Sequence, residues 1–514
     1  VKVIYSGITS RYWQLVVEKL ADENRWDPVY VIGGDEVEQA IRTRFPDVIF
    51  QTMIDAIKGI AADDFEGRPL EPLDAKTLKE FRGCQTMALR MMDRIDAVTS
   101  FPYDDRMRLF LNVLRYWQTV VDDLRPERVV FSVIPHMIFD YVLYMLCQKR
   151  GIPMIMFESI PVRGMTVVMD AFDQPGFTQR FYQQLLQNEP KGEVSLTPVL
   201  EDYLCALQGS YRDAPEYVRR IYKEKPYEGV KNPSKSLLSR LADFEKYSRY
   251  FEKQQRIMRA RFTAPPNYLK LKNKKLEDSR MNFFQYRMFR LRSHLRMRAL
   301  IRHYHRLADD VNLNQPYIYV ALSFQPERTT SPMGSIYVDQ YLMVDLLSKS
   351  VPESWHIYVK DHPFQFTPSK FHRAQSGRSR AFYDDIAALP NVSLVPMNID
   401  SFQLIDNAQA VAAVTGTVGW ETVHRGKPVL IFGYPWYRGC EGIFQIDTRE
   451  SLLTALGQIR AGYRIDPHKL RLFAYALEQT AAEASVETHL QITQITDEER
   501  AARLTKAIQA FVAR

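Results

Sequence analysis

The apolar run Ala408 to Val414 leads into Thr415-Gly416-Thr417-Val418-Gly419-Trp420-Glu421 and then Gly426-Lys427-Pro428-Val429-Leu430-Ile431-Phe432-Gly433, which reads as strand, tight turn, short helix, turn and strand. Small hydroxylated residues and glycine at a strand-to-helix turn let the backbone approach a ligand closely, and unpaired N–H groups there face an anion. Thr415, Gly416 and Thr417 are therefore candidate phosphate contacts. Glu421, a turn later, is placed to meet ribose hydroxyls, as acidic residues do beside other nucleotide phosphates. The competing reading is a glycine-rich turn with Glu421 as a surface or capping residue.

Upstream, Trp355-His356-Ile357-Tyr358-Val359-Lys360-Asp361-His362-Pro363 reads as a buried strand ending in a polar turn. Ligands of open α/β sheets bind beyond the carboxyl ends of strands, where Lys360, His362 and Pro363 fall. Lys360 and His362 can both donate to phosphate oxygens. Another strand, Tyr317 to Leu322, precedes Ser323-Phe324-Gln325-Pro326-Glu327-Arg328-Thr329-Thr330, making Gln325 and Arg328 candidate substrate contacts. Arg328 can hold a carboxylate or phosphate through two parallel hydrogen bonds.

The first 160 residues also alternate strand-like and helical stretches, which argues a parallel, doubly wound sheet. Val129 to Ile134 is a short buried strand, Met137 to Arg150 has helical length, and Met154-Ile155-Met156-Phe157 is a strand closed by Glu158-Ser159. Glu158, at a strand end, is the best-placed acid or base of this half. His136 and Asp140 are fallback catalysts, and Arg163 is placed to hold an anionic group or Glu158 itself. From about 165 to 312 the strand signal fades into long, polar, helical sequence.

The 514 residues are enough for two or three domains, and 46% hydrophobic with 25% charged residues describes a globular protein. No run approaches the roughly 18 apolar residues of a membrane span, and the first residues read as a strand rather than a charged leader with an apolar core. A cytoplasmic location is expected, extending to the periphery of the inner membrane. Cys84, Cys147, Cys205 and Cys440 lack C-x-x-C spacing, so reduced, structural thiols are expected. The Asp122-Asp123, Asp309-Asp310 and Asp384-Asp385 pairs lack nearby histidines, and no metal site is expected. Net charge is +7, yet Lys253 to Arg306 alone holds sixteen Lys or Arg against Glu277 and Asp278, an excess of +14. Such a segment meets an anionic membrane surface or another polyanion, or it is the solvated face of helices.

The Lys360 to Pro363 motif, the Thr415 to Glu421 turn with Gly426-Lys427-Pro428, and Gln325-Pro326-Glu327 together resemble the second domain of bacterial capsule polysaccharide biosynthesis glycosyltransferases, the group that includes Kdo transferases. They also resemble the looser pattern of bacterial sialyltransferases: an acidic motif in the first domain, then His-Pro, then a Ser/Thr motif. That pattern falls here on Glu158, on His362-Pro363, and on Thr415 and Thr417. The resemblance implies that His-Pro and the hydroxyl residues bind the CMP part of a donor and that the first-domain carboxylate is catalytic.

The expected fold class is α/β: two Rossmann-like doubly wound domains facing a cleft (GT-B type), with a helical insertion. The expected boundaries are 1–230 for the acceptor domain, 231–312 for a basic helical insertion, 313–490 for the nucleotide-sugar domain and 491–514 for a C-terminal helix. The expected function is metal-independent transfer of an acidic sugar, Kdo from CMP-Kdo, to a glycan or lipid-linked acceptor in capsule or lipopolysaccharide synthesis. No further cofactor and no nucleic-acid partner are expected. The alternatives are the same fold using a UDP- or GDP-hexose, or a non-catalytic protein that binds polyanions or nucleic acid through the basic segment.

Overall fold

The computed structural model describes residues 1–94, 102–162, 164–188, 194–209, 283–367, 377–487 and 495–513. Arg163 and the part of the basic segment before 283 lie outside the described residues, as does most of the 231–312 insertion.

Two six-stranded sheets carry the chain. The first contains β1 (Lys2–Ile8), β2 (Asp27–Gly33), β3 (Ile49–Thr52), β4 (Arg128–Phe131), β5 (Met154–Ser159) and β6 (Thr166–Met169), in the order β3-β2-β1-β4-β5-β6. All its pairings are parallel except β5 with β6. The second contains β7 (Tyr317–Ala321), β8 (His356–Lys360), β9 (Val392–Leu394), β10 (Ala410–Ala413), β11 (Val429–Ile431) and β12 (Ile443–Gln445), parallel throughout in the order β12-β11-β10-β7-β8-β9. Read from the β9 edge, the second sheet repeats the doubly wound order of the first. Each sheet reverses winding direction at one point, between β1 and β4 and between β7 and β10, and a crevice opens beyond the strand ends there.

The strands read as continuous apolar runs because helices cover both faces of a parallel sheet. All six residues of β5 are buried, Glu158 and Ser159 included, and so are all four of β10. β6, which the sequence left unassigned, is equally buried and turns the edge of the first sheet back antiparallel.

The chain returns to the first domain before the expected boundary at 490. Helix Pro467–Thr480 packs on helix Phe177–Gln187, with the Thr178 and Thr480 hydroxyls 2.7 Å apart. Ala482 then bridges Thr166 of β6 through both backbone hydrogen bonds, and helix Asp497–Val512 lies on helix Arg11–Asn24. Between the two sheets, Trp420 lies 4.8 Å from Trp436 and 6.0 Å from Phe473, whose ring meets Tyr182 edge-on at 5.2 Å. One end of the domain interface is therefore an aromatic core.

The loops beyond β7 and β8 are fixed by one buried ion pair. Arg378 Nε donates to Asp361 Oδ2 at 2.8 Å and its second terminal nitrogen to Oδ1 at 3.0 Å, both side chains being fully shielded from water. The same guanidinium donates to Gln325 Oε1 at 2.7 Å and to the Ser323 carbonyl at 3.1 Å, while the Tyr383 hydroxyl donates to Asp361 at 2.5 Å. Burial works against the charge on Arg378, but Asp361 and Tyr383 together outweigh it and hold the guanidinium above its ordinary range.

Among the described residues no helix is long and apolar enough to cross a membrane. All four cysteines are free, and only Cys205 is exposed.

Removing one partner of a buried pair strands the other charge, which costs about 3–5 kcal/mol. Asp361→Asn is expected to lose that much in urea unfolding. Asp345→Asn, whose partner Lys349 is solvent-exposed, is expected to lose at most about 1 kcal/mol. Equal losses in the two variants would rule out the anchoring role.

Candidate active site in the interdomain cleft

The strand-end residues singled out by sequence divide into those used to build the loops and those presented to the cleft. Lys360 belongs to the first group. Its ammonium is buried and donates to the Ile399 carbonyl and the Ser401 hydroxyl, each at 2.7 Å, and burial pulls its pKa down to about 8. The expected phosphate contact is thus committed within its own domain. Gln325 is likewise buried: its backbone N–H donates to Gln365 Oε1 at 3.1 Å, its side-chain amide donates to the Val338 carbonyl, and its oxygen accepts from Arg378. It shapes the β7 loop. Thr415 is buried and donates its hydroxyl to the Thr329 carbonyl at 2.5 Å, tying the β10 turn to the β7 loop across the crevice.

His362, Gly416, Thr417 and Glu421 stay partly exposed. His362 Nδ1 accepts from the Phe364 N–H at 3.1 Å, which fixes the other ring nitrogen as the donor. Burial, together with Arg378 and Lys360, holds its pKa near 4, so at neutral pH the ring is an uncharged donor. Pro363 is buried and opens the single turn Pro363–Phe366 that aims this ring. Thr417 begins helix Val418–His424 with no capping bond from its side chain.

The glycines of this turn differ in what requires them. A Cβ on Gly419 would stand 2.4 Å from the Tyr437 hydroxyl, which donates to the Gly416 carbonyl. A Cβ on Gly433 would meet the Met333 carbonyl and Thr415 Cγ2, each at 2.7 Å. On Gly416 it would meet only Val418 Cγ1, at 3.5 Å. Packing therefore demands glycine at 419 and 433, whereas the face of Gly416 is open.

From the first domain, β5 delivers Glu158 at 5% exposure, with no hydrogen bond from its side chain to a described residue. Burial raises its pKa to about 7; Arg328 and Arg438 oppose the rise and Glu487 adds to it. His136 Nδ1 lies 2.8 Å from the Ile134 carbonyl, and burial with Arg94 and Arg328 depresses its pKa to about 3, too weak a base for proton transfer near neutrality. Asp140 is also raised, to about 7, by burial, but its carboxylate accepts the Met137 N–H at 2.7 Å and caps helix Ile138–Arg150. Of the three sequence candidates, only Glu158 combines a suitable pKa with a carboxylate uncommitted to the backbone.

Arg328, already a candidate from the sequence, and residues that no motif pointed to complete the cleft. Arg328 is held bidentately by Glu487, at 3.3 and 3.2 Å, with its Nε buried and unpartnered among the described residues. Burial works against its charge, yet Glu487 and Glu158 raise its pKa. Glu487 arrives from the returning tail, where Ser485 Oγ lies 2.9 Å from Ser159 Oγ and the Glu487 N–H donates to Ser159 at 3.2 Å. Arg94 bridges the domains, donating to the His136 carbonyl on one side and to Ser331 on the other, at 2.9 Å to its hydroxyl. Tyr437 joins the two halves, because its hydroxyl bonds Gly416 and lies in the field of both Glu421 and Glu158. The signal available in the sequence was position: Tyr434-Pro435-Trp436-Tyr437-Arg438 follows the carboxyl end of β11.

The fold and cleft define a protein of two doubly wound domains with its polar residues gathered where both sheets end. Residues 325–453 match the model of the family described as capsule polysaccharide biosynthesis protein, confirming over that segment the resemblance read from the His-Pro and Thr-Gly-Thr motifs. Over 123 residues the chain is 31% identical to the capsule polysaccharide modification protein LipA of Neisseria meningitidis serogroup B, covering 24% of this chain. The match spans 16% of the relative's length. Among solved structures, the beta Kdo 2,7 transferase KpsC of Thermosulfurimonas dismutans aligns with 81% of this chain and 95% of its own at 11% identity and a TM-score of 0.30. The UDP-GlcNAc 2-epimerase of Neisseria meningitidis aligns over all of both chains at 10% identity and a TM-score of 0.23.

Gly419→Ala is expected to lose about 1–3 kcal/mol through overpacking against Tyr437, while Gly416→Ala stays within about 0.5 kcal/mol of wild type in thermal unfolding. A loss at 416 equal to that at 419 would contradict the open face of the turn.

Proposed function

We propose that the protein is a glycosyltransferase of surface polysaccharide synthesis. In this reading it transfers an acidic sugar, Kdo, from a CMP-linked donor to a glycan or lipid-linked acceptor. The observation that carries the reading is Glu158, a buried carboxyl with a pKa near 7 that lies in the electrostatic field of two guanidinium groups and Tyr437 from the loops of the other domain. The family match over 325–453 supports a role in capsule synthesis.

The chemistry follows from these groups. The leaving phosphate would sit on the open Gly416-Thr417 turn and receive hydrogen bonds from the Thr417 hydroxyl and the His362 ring, with Glu421 toward the ribose. Neutral hydrogen-bond donors aimed at the developing charge stabilise the departing phosphate. We assign these donors, without a metal, to that task. Glu158 would remove the proton of the acceptor hydroxyl, or attack the sugar itself; a carboxyl half-ionised near pH 7 suits proton transfer.

Calorimetric titration is expected to show preferential binding of CMP over UDP and GDP, weakened by about 1–3 kcal/mol in His362→Ala and in Thr417→Ala. Preference for UDP would replace the CMP assignment with a hexose donor. Glu158→Gln should keep nucleotide affinity and reduce turnover about 100-fold; activity within a few-fold of wild type would remove Glu158 from the mechanism. Glu487→Gln removes a charge that raises the Glu158 pKa and releases Arg328, which lowers it. Both effects move the kcat/KM midpoint assigned to Glu158 to lower pH, and an unmoved profile would contradict that assignment.

We also assign the described end of the basic segment to an anionic membrane surface. Helix Phe283–Leu307 contains seven arginines and no acid. Its Met297, Leu300, Ile301 and Tyr304 are buried in the second domain, whereas Met288, Leu291 and Leu295 are 48%, 52% and 55% exposed along one face, with Arg292, Arg296 and Arg302 also exposed. An apolar stripe flanked by cations is the composition of an interfacial helix. Co-sedimentation with vesicles containing anionic lipid, lost in a Leu291→Ser/Leu295→Ser variant, is the expected result; equal binding to neutral vesicles would refute the charge-based contact.

A further inference from the structure

Arg438 stands apart from the other cations of the cleft. Arg94 is spent on carbonyl and hydroxyl groups, Arg328 on Glu487 and Arg378 on Asp361. The Arg438 guanidinium makes no hydrogen bond or ion pair with a described residue, although it is partly buried and stacks 5.3 Å from the Tyr434 ring centre. Burial lowers its pKa, and Asp173, Glu158 and Asp447 act on it only through the longer-range field. A desolvated cation without a direct counter-ion is costly unless something else supplies the anion.

Its location indicates which part of a ligand that anion belongs to. Arg438 follows Tyr437, which is bound to the Gly416 carbonyl. The nucleotide phosphate belongs on that turn in the reading given above. Arg438 itself lies in the electrostatic field of Asp173 first and also of Glu158, the group assigned to the reacting sugar. A guanidinium fork held flat by an aromatic ring matches the two oxygens of a carboxylate. In that reading, an anion bound by Arg438 beyond the phosphate turn belongs to the sugar and not to the nucleotide.

We propose that Arg438 is a specificity-determining residue that binds the carboxylate of an acidic donor sugar. The proposal rests on the nucleotide-sugar reading and deepens it, naming the contact that separates acidic from neutral sugars.

The test measures Arg438→Ala and Arg438→Lys against two ligand pairs: CMP-Kdo with CMP, and UDP-glucuronate with UDP-glucose. Thermal unfolding first confirms that each variant is folded, and Arg438→Gln serves if the alanine variant is not. For the pair that wild type binds, Arg438→Ala should weaken the acidic sugar nucleotide about 10- to 100-fold, the range of a charged hydrogen bond. Its neutral or sugar-free counterpart should stay within about twofold. Lysine, which keeps the charge but loses the fork and the stacking, should recover only part of that loss. Equal weakening of both members would overturn the proposal and place Arg438 on the phosphate or in the scaffold; no weakening of either would remove it from the site. Binding of only the UDP pair overturns the CMP donor while leaving the Arg438 contact to be decided by glucuronate against glucose. Absence of binding to all four ligands overturns both.

Discussion

The ion pair between Asp361 and Arg378 is the constraint on which the second half of the cleft depends. Burying two charges is unfavourable unless hydrogen bonds satisfy the remaining donors and acceptors. Here Arg378 reaches the Ser323 carbonyl and Gln325, and Asp361 accepts from Tyr383 and from the His362 N–H at 2.7 Å. Those contacts join the loops after β7 and β8 to helix Arg380–Ala387. With Asp361 drawn inward, the next side chain, His362, is left at the rim with its ring orientation set by the following turn. Thr415 repeats the device between β10 and the β7 loop. Hydrogen bonds that sequence inspection assigns to a ligand thus first make the loops rigid enough to receive one.

That division explains what was legible in the sequence. Periodicity and turn residues identify β1, β4, β5, β7, β8, β10 and β11, the helix after β4 and the turn after β10, because each is encoded locally. The doubly wound order also follows from alternation of element types. Strand-end position singled out Glu158 and His362, each of which keeps a polar side-chain atom outside the hydrogen bonds that build the loops among the described residues. It could not separate Lys360 from His362, since which of two polar residues two positions apart is drawn inward depends on Ile399 and Ser401, some forty residues after Lys360. Gln325 was misassigned to substrate for the same reason: its partners are Arg378 and Gln365.

Arg94, Glu487 and Arg438 carry no motif at all. Arg94 sits in the single turn Met92–Arg94, and Glu487 lies in a stretch of tail whose position is set by β6 and Ser159. Their relevance is tertiary, arising only because two sheets end opposite one another. The early return of the chain was hidden likewise. Helix Pro467–Thr480 is amphipathic in sequence, yet nothing local says that its apolar face belongs to Tyr182 of the other domain rather than to the nearer sheet.

The protonation of the cleft is likewise a product of the assembly. Burial is the first cause of the raised pKa of Glu158, and the opposing and reinforcing charges, Arg328, Arg438 and Glu487, all come from outside the first sheet. The same strand end without the second domain would leave this carboxyl hydrated and ionised at neutral pH. Placing it against the loops of β7 and β11 removes water, brings it to the midpoint of its titration and supplies two cations that favour its ionised form. His136, in the same crevice, responds oppositely because desolvation favours the neutral form of both groups, which raises an acid and lowers a base. The domain interface therefore does chemical work through dielectric and charge together. Any separation of the two sheets that rehydrates Glu158 returns it toward an ordinary carboxylate, so its capacity to exchange a proton near pH 7 exists only while the cleft is closed around it.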